Sequence, residues 1–160
     1  MSKVSTLLFD FSRVLLHTKD SSYAGKLNDL YRSERSKPTF QFFELFTMDG
    51  ELLNWLGMQK DRVKLALYTS EMIQKDPSIL PKLTEVFGGN IFSGAELGLS
   101  KASSQDYIVL CSKLGVEPKT VIFVDGTMGN IRAALDAGLQ AIQFFSREQI
   151  ITELSKRIEE

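Results

Sequence analysis

Short apolar runs alternate along this chain with stretches in which apolar residues recur every three or four positions. Runs at 5–10, 63–69, 90–93, 120–125 and 140–145 have strand length and are bounded by turn residues such as Gly88-Gly89-Asn90 and Gly138. The helical stretches between them carry end signals. Ser103, with Asp106 three residues on, opens a helix whose Tyr107, Leu110, Cys111 and Leu114 share a face, and Gly115 closes it. Ser146 and Gln149 form a capping box ahead of Ile150, Leu154 and Ile158. Residues 78–87 read as a helix with Pro81 in its first turn, where the missing N–H costs little. Strands alternating with helices predict βα units and a parallel sheet, an α/β fold.

The stretch from about 17 to 60 is too long for one crossover, which needs only a dozen or so residues. Residues 49–58 make the helix that leads into the second strand, with Leu52, Leu53 and Leu56 inward and Trp55 at its edge. That leaves 17–47 as an insert. It is expected to hold two or three short helices over the site mouth, including a polar helix near Ala24 to Arg35, a break at Pro38, and Phe40, Phe42, Phe43 and Phe46. Those phenylalanines either dock the insert on the core or form a substrate or partner surface.

Three apolar runs stop at residues suited to phosphoryl chemistry: Asp10, Thr69 and Asp125. In an open parallel sheet, ligands bind in the crevice beyond the carboxyl ends of the strands, so these side chains converge, and Lys101 is expected to join them.

At 160 residues and 43% hydrophobic content, one compact domain with a real core is the simplest organisation. A formal net charge of −1, with no run of Lys and Arg, argues against nucleic acid as a partner. No window approaches the roughly 18 apolar residues of a membrane span, and the apolar start is broken by Asp10 and Arg13, reading as a strand and not as a leader. One cysteine, Cys111, permits no intrachain disulfide and sits on a buried helix face; the expected setting is the cytoplasm. His17, the only histidine, reads as an exposed or insert-contacting imidazole, not a metal ligand or base. The Gly126 to Gly129 stretch lacks the lysine of a phosphate loop, and Asn130 reads as a turn organiser.

Four segments in order resemble the haloacid dehalogenase superfamily of phosphohydrolases. They are LLFDFSRVLL at 7–16, LALYTS at 65–70, LGLSKA at 97–102 and VIFVDGTMGNIRAALDAG at 121–138. The resemblance covers nearly all of such a domain. It implies a three-layer Rossmann-like sheet in the order 5-4-1-2-3, with residues 17–47 as a small helical cap. It also implies Asp10 as nucleophile, Thr69, Ser70 and Lys101 on the phosphate of a small phosphorylated molecule, and Mg²⁺ held by Asp10, the Ser12 carbonyl and Asp125. A receiver domain also gathers Asp, Thr and Lys at a parallel sheet, but lacks an insert after the first strand.

Two positions depart from the family pattern. Ser12 stands where its phosphatases carry an acid–base aspartate, and a hydroxyl cannot cycle a proton near neutrality. Gly126 stands where a metal-binding acid is usual, leaving Asp125 as the neighbouring acid and a weakened Mg²⁺ site. The resemblance therefore implies a phosphatase-type hydrolase with impaired turnover; the alternative is an inactive binding or interaction protein on the same fold.

Overall fold

The computed structural model describes residues 3–159. Its centre is a five-stranded parallel sheet. The first strand, β1 (Thr6–Phe9), is followed by the segment holding β2 (Leu16–Thr18), α1 (Leu27–Glu34), α2 (Phe42–Leu45) and β3 (Phe46–Met48). Next come α3 (Gly50–Gly57), β4 (Lys64–Thr69), α4 (Leu80–Phe87), β5 (Ile91–Ser93), α5 (Gly94–Leu97) and α6 (Ser104–Leu114). The chain ends with β6 (Val121–Asp125), α7 (Met128–Asp136), β7 (Gln140–Gln143) and α8 (Arg147–Glu159). The sheet order is β5-β4-β1-β6-β7. Numbered along the chain and read from the far edge, these five strands stand 5-4-1-2-3 or its mirror reading, the order the resemblance implies.

Successive side chains of a strand point to opposite faces, so a central parallel strand covered on both sides is apolar throughout. All four β1 residues are buried. Leu7 and Phe9 pack with Leu65, Leu67, Ile122 and Val124 against the layer that includes α3, α4 and α8. Leu8, Ala66, Tyr68 and Phe123 face α6 and α7 with Tyr107, Leu110 and Cys111. The pairing Phe9↔Leu67 and Phe9↔Val124 leaves β1, β4 and β6 ending almost level. Asp10, Thr69 and Asp125 therefore reach the same edge of the sheet.

Helix ends follow local chemistry. The Ser146–Gln149 box forms reciprocally: Gln149 N–H donates to Ser146 Oγ and Ser146 N–H to Gln149 Oε1. Gly115 closes α6 at φ 71°, the left-handed region that favours glycine. The expected cap at the start of α6 is different: Asp106 accepts from Ser100 N–H, and Ser103 makes no side-chain cap. The carboxylate was taken by the preceding loop.

Residues 17–47 hold two short helices, α1 and α2, within the expected number, together with a strand pairing that was not expected. The polar helix is shorter than expected, Leu27–Glu34, and β2 pairs antiparallel with β3 through Leu16↔Met48 and Thr18↔Phe46. Phe42 and Phe46 are buried with Tyr31 and Leu27, Phe40 packs partly against them, and Phe43 is exposed. No helix among the described residues is long and apolar enough to cross a membrane.

Candidate functional site

A tight turn follows β1. The amides of Val14, Leu15 and Leu16 all donate to the Phe11 carbonyl, and Asp10 N–H donates to the Val124 carbonyl. This turn fixes Asp10 beyond the strand end and brings Ser12 beside it. Arg13 has φ 63°, the only positive φ at a non-glycine among the described residues, a conformation that costs an L-residue of this size. Its guanidinium donates to the carbonyls of Tyr23 (3.1 Å) and Gly25 (2.6 Å), tying the approach to α1 onto the turn.

Asp10, Ser12, Thr69, Ser70 and Lys101 line one cavity of about 430 Å³, with Lys26, at the cap of α1, and Asp29 and Arg32 of α1 forming the opposite wall. Asp125 does not line it. Fully buried behind Lys101, it accepts from Thr127 N–H (2.8 Å) and Asn130 Nδ2 (3.1 Å), and its Oδ2 lies 3.5 Å from Lys101 Nζ. Lys101 Nζ also bonds Asp10 Oδ1. The ammonium thus bridges two carboxylates whose strands are adjacent in the sheet.

Lys101 is held from two further sides and is largely buried. Tyr107 Oη donates to its carbonyl at 2.8 Å, the Tyr68 ring lies 5.5 Å from Nζ, and its side chain is only 7% exposed. An ammonium over an aromatic face is attracted by the ring's negative quadrupole. The Tyr68 hydroxyl has no hydrogen-bond partner among the described residues, and burial pushes its pKa up to about 12. Burial likewise raises Asp10 to about 6; Lys101 opposes that shift and the Asp125 charge adds to it.

Thr69 reaches the cavity, but its hydroxyl faces two backbone carbonyls, Glu71 O at 3.0 Å and Phe92 O at 3.3 Å. A single hydroxyl proton used there is not simultaneously available to an anion. Ser70 lines the same wall, and its carbonyl accepts from Ala95 N–H. His17 lies on β2, outside the cavity lining.

The cavity also includes residues that sequence reasoning missed. Arg13, Lys26 and Arg32 supply positive charge at the rim, with Arg32 bonded to Asp29 and Glu71. Single exposed basic residues in a turn, just before a short polar helix and on it have no distinctive pattern. Tyr68 was hidden in the four-residue apolar run 65–68 of β4.

No protein-family model and no curated protein matches the chain. Solved structures do. The chain is similar to a predicted HAD-like (haloacid dehalogenase-like) family hydrolase from Porphyromonas gingivalis, with TM-score 0.71 and 14% identity over 99% of this chain and 100% of that one. A putative beta-phosphoglucomutase from Thermotoga maritima gives TM-score 0.68 and 19% identity over 96% and 99%. A HAD family enzyme from Bacteroides thetaiotaomicron, crystallised with magnesium and inorganic phosphate, gives TM-score 0.64 and 13% identity over 88% and 93%. At these identities the likeness establishes the fold: a Rossmann-like α/β fold of the kind found in HAD-like hydrolases.

Proposed function

We propose that this chain is a haloacid dehalogenase-like phosphohydrolase homologue that holds a small phosphorylated molecule at Asp10 and turns it over poorly. The observation that carries the reading is one cavity, at the carboxyl edge of the sheet, lined by Asp10, Ser12, Thr69, Ser70 and Lys101. Residues 17–47 act as a small cap, with α1 as the wall facing Asp10.

In the reaction, an Asp10 carboxylate oxygen attacks phosphorus, and the bond from phosphorus to the leaving oxygen breaks. Water then cleaves the aspartyl phosphate, returning the carboxylate and releasing phosphate. The Lys101 ammonium offsets charge on the transferring oxygens, and Thr69 donates to them only by releasing the carbonyls of Glu71 and Phe92. Ser12 cannot act as general acid, so the leaving alkoxide draws its proton from water. That loss is worth about 10² to 10⁴ in rate, roughly 3 to 5 kcal/mol of barrier.

The fold family implies a magnesium ion on Asp10, the Ser12 carbonyl and Asp125. These residues fit it poorly. Asp125 is sealed behind Lys101 with both oxygens engaged, and Asp10 already bonds the ammonium. Among the described residues no group of three His, Cys, Asp or Glu side chains is placed to hold a metal. The reaction as drawn therefore runs on protein groups and water.

The test is phosphate release from an activated aryl phosphate, whose leaving group needs no acid. The expected result is slow turnover that Asp10→Asn abolishes; equal release by both proteins refutes the nucleophile assignment. The second reading, an inactive binding protein, is favoured by the lysine clamp on Asp10. It predicts no wild-type turnover, with activity created by combining Ser12→Asp and Gly126→Asp. A Cβ at Gly126 meets only the Phe144 carbonyl, at 4.0 Å, so the second substitution has room.

A further inference from the structure

We infer that the cavity takes its phosphate ligand without a divalent cation, because the Lys101 ammonium is a built-in counter-ion occupying the position between Asp10 and Asp125. The inference rests on the reading of this cavity as a phosphate site and names the form of ligand it accepts.

A magnesium ion keeps several waters and is usually anchored by one or two carboxylates. Four acids stand in or behind this cavity. Asp29 and Glu71 are bonded to Arg32 at the rim. Asp125 is fully buried and accepts hydrogen bonds on both oxygens from Thr127 and Asn130. Asp10 alone is left facing the cavity, and it already bonds a unit positive charge. A divalent ion brought to Asp10 would meet that ammonium across a short, poorly screened distance.

Displacement of the ammonium is opposed by how it is held. Its backbone is pinned by Tyr107 Oη, its charge rests against the Tyr68 ring, and Tyr107 packs edge-on to Tyr68 at 5.9 Å between ring centres. Moving Nζ away would strip it of both carboxylates and the ring while it stays largely buried. The ligand that suits such a site is a free phosphate monoester, not a magnesium-complexed polyphosphate. Lys26, which lines the opposite wall, adds positive charge for it.

The decisive measurement is Mn²⁺ titration of the metal-stripped full chain without phosphate, followed by calorimetry and by thermal unfolding. Wild type should show no saturable binding and no melting shift at millimolar Mn²⁺. Lys101→Gln, which leaves the two carboxylates without their counter-ion, should gain a Mn²⁺-dependent rise in melting temperature, since a ligand that binds only the folded state stabilises it. Inorganic phosphate should bind wild type equally with Mg²⁺ and with chelator. Saturable wild-type Mn²⁺ binding that Asp10→Asn removes overturns the inference. So does a phosphate affinity raised about tenfold or more by Mg²⁺, or a folded Lys101→Gln variant indifferent to Mn²⁺. If that variant fails to fold, the two wild-type measurements decide. Loss of phosphate binding under both conditions would refute the phosphate reading of the cavity, while the Mn²⁺ titration still judges the metal question separately.

Discussion

The floor and the rim of the cavity both hold lysine or arginine against carboxylates, yet the two are built differently. On the floor, Lys101, Asp10 and Asp125 have side chains 7%, 15% and 1% exposed. On the rim, Arg32 is 53% exposed and joins Asp29 at 55% and Glu71 at 39%. The floor comes from two strand ends and the turn between α5 and α6, far apart in sequence, and the rim from a short helix and one loop. Burial decides what each is worth. Water screens the rim pairs, whereas each floor charge has given up hydration and depends on its partners.

The largest effect follows from removing the shared partner. Lys101→Gln should destabilise the folded chain by about 3 to 5 kcal/mol at neutral pH, the range found when a buried pair loses one member. Urea unfolding of wild type and variant measures it. The loss should shrink near pH 4, where Asp10 carries a proton and no longer needs a counter-ion. An effect under about 1 kcal/mol would place the floor in the same class as an exposed pair.

Asp10 supplies the next effect, and it has a definite sign. Its pKa is raised from 3.8 to about 6 in the folded state, chiefly by burial. Between those values the unfolded chain has already released the proton and the folded chain has not, so stability falls as pH rises from about 4 to about 6 and then levels off. A shift of this size corresponds to about 3 kcal/mol at most. The stability of metal-free wild type, measured against Asp10→Asn over that window, isolates the contribution. A difference that stays flat, or rises with pH, shows that Lys101 outweighs desolvation.

The floor was also the more legible part of the sequence. Buried parallel strands are apolar on both faces, so Asp10, Thr69 and Asp125 stood out as the polar residues ending three such runs. The order of four motifs brought in Lys101. That Asp125 would lie behind Lys101, and that the Thr69 hydroxyl would turn to the carbonyls of Glu71 and Phe92, depended on packing that no local pattern records. The three-residue strands β2 and β3 were missed because so short a run shows no period of two. Tyr68 and the rim residues Arg13, Lys26 and Arg32 carried no signal at all. A buried tyrosine looks like any other apolar strand residue, and an exposed arginine on a polar helix like solvent decoration.

The smallest effect belongs to the rim, and α1 contains its own control. Tyr31 and Arg32 are neighbours on that helix, and both fasten it to the segment after β4. Tyr31 Oη donates to Asp76 Oδ2 at 2.8 Å in a buried setting, whereas Arg32 reaches Glu71 in water. Tyr31→Phe removes one donor and leaves a buried carboxylate with Ser78 N–H as its other bond, a loss of about 1.5 to 3 kcal/mol. Arg32→Ala should cost less than about 1 kcal/mol, most of it gone at high salt. Urea unfolding at low and high ionic strength compares them directly. Equal losses from the two substitutions would mean that the rim ion pairs are shielded from solvent to an extent their exposure does not show, and the contrast between floor and rim would then rest on sequence distance instead of burial.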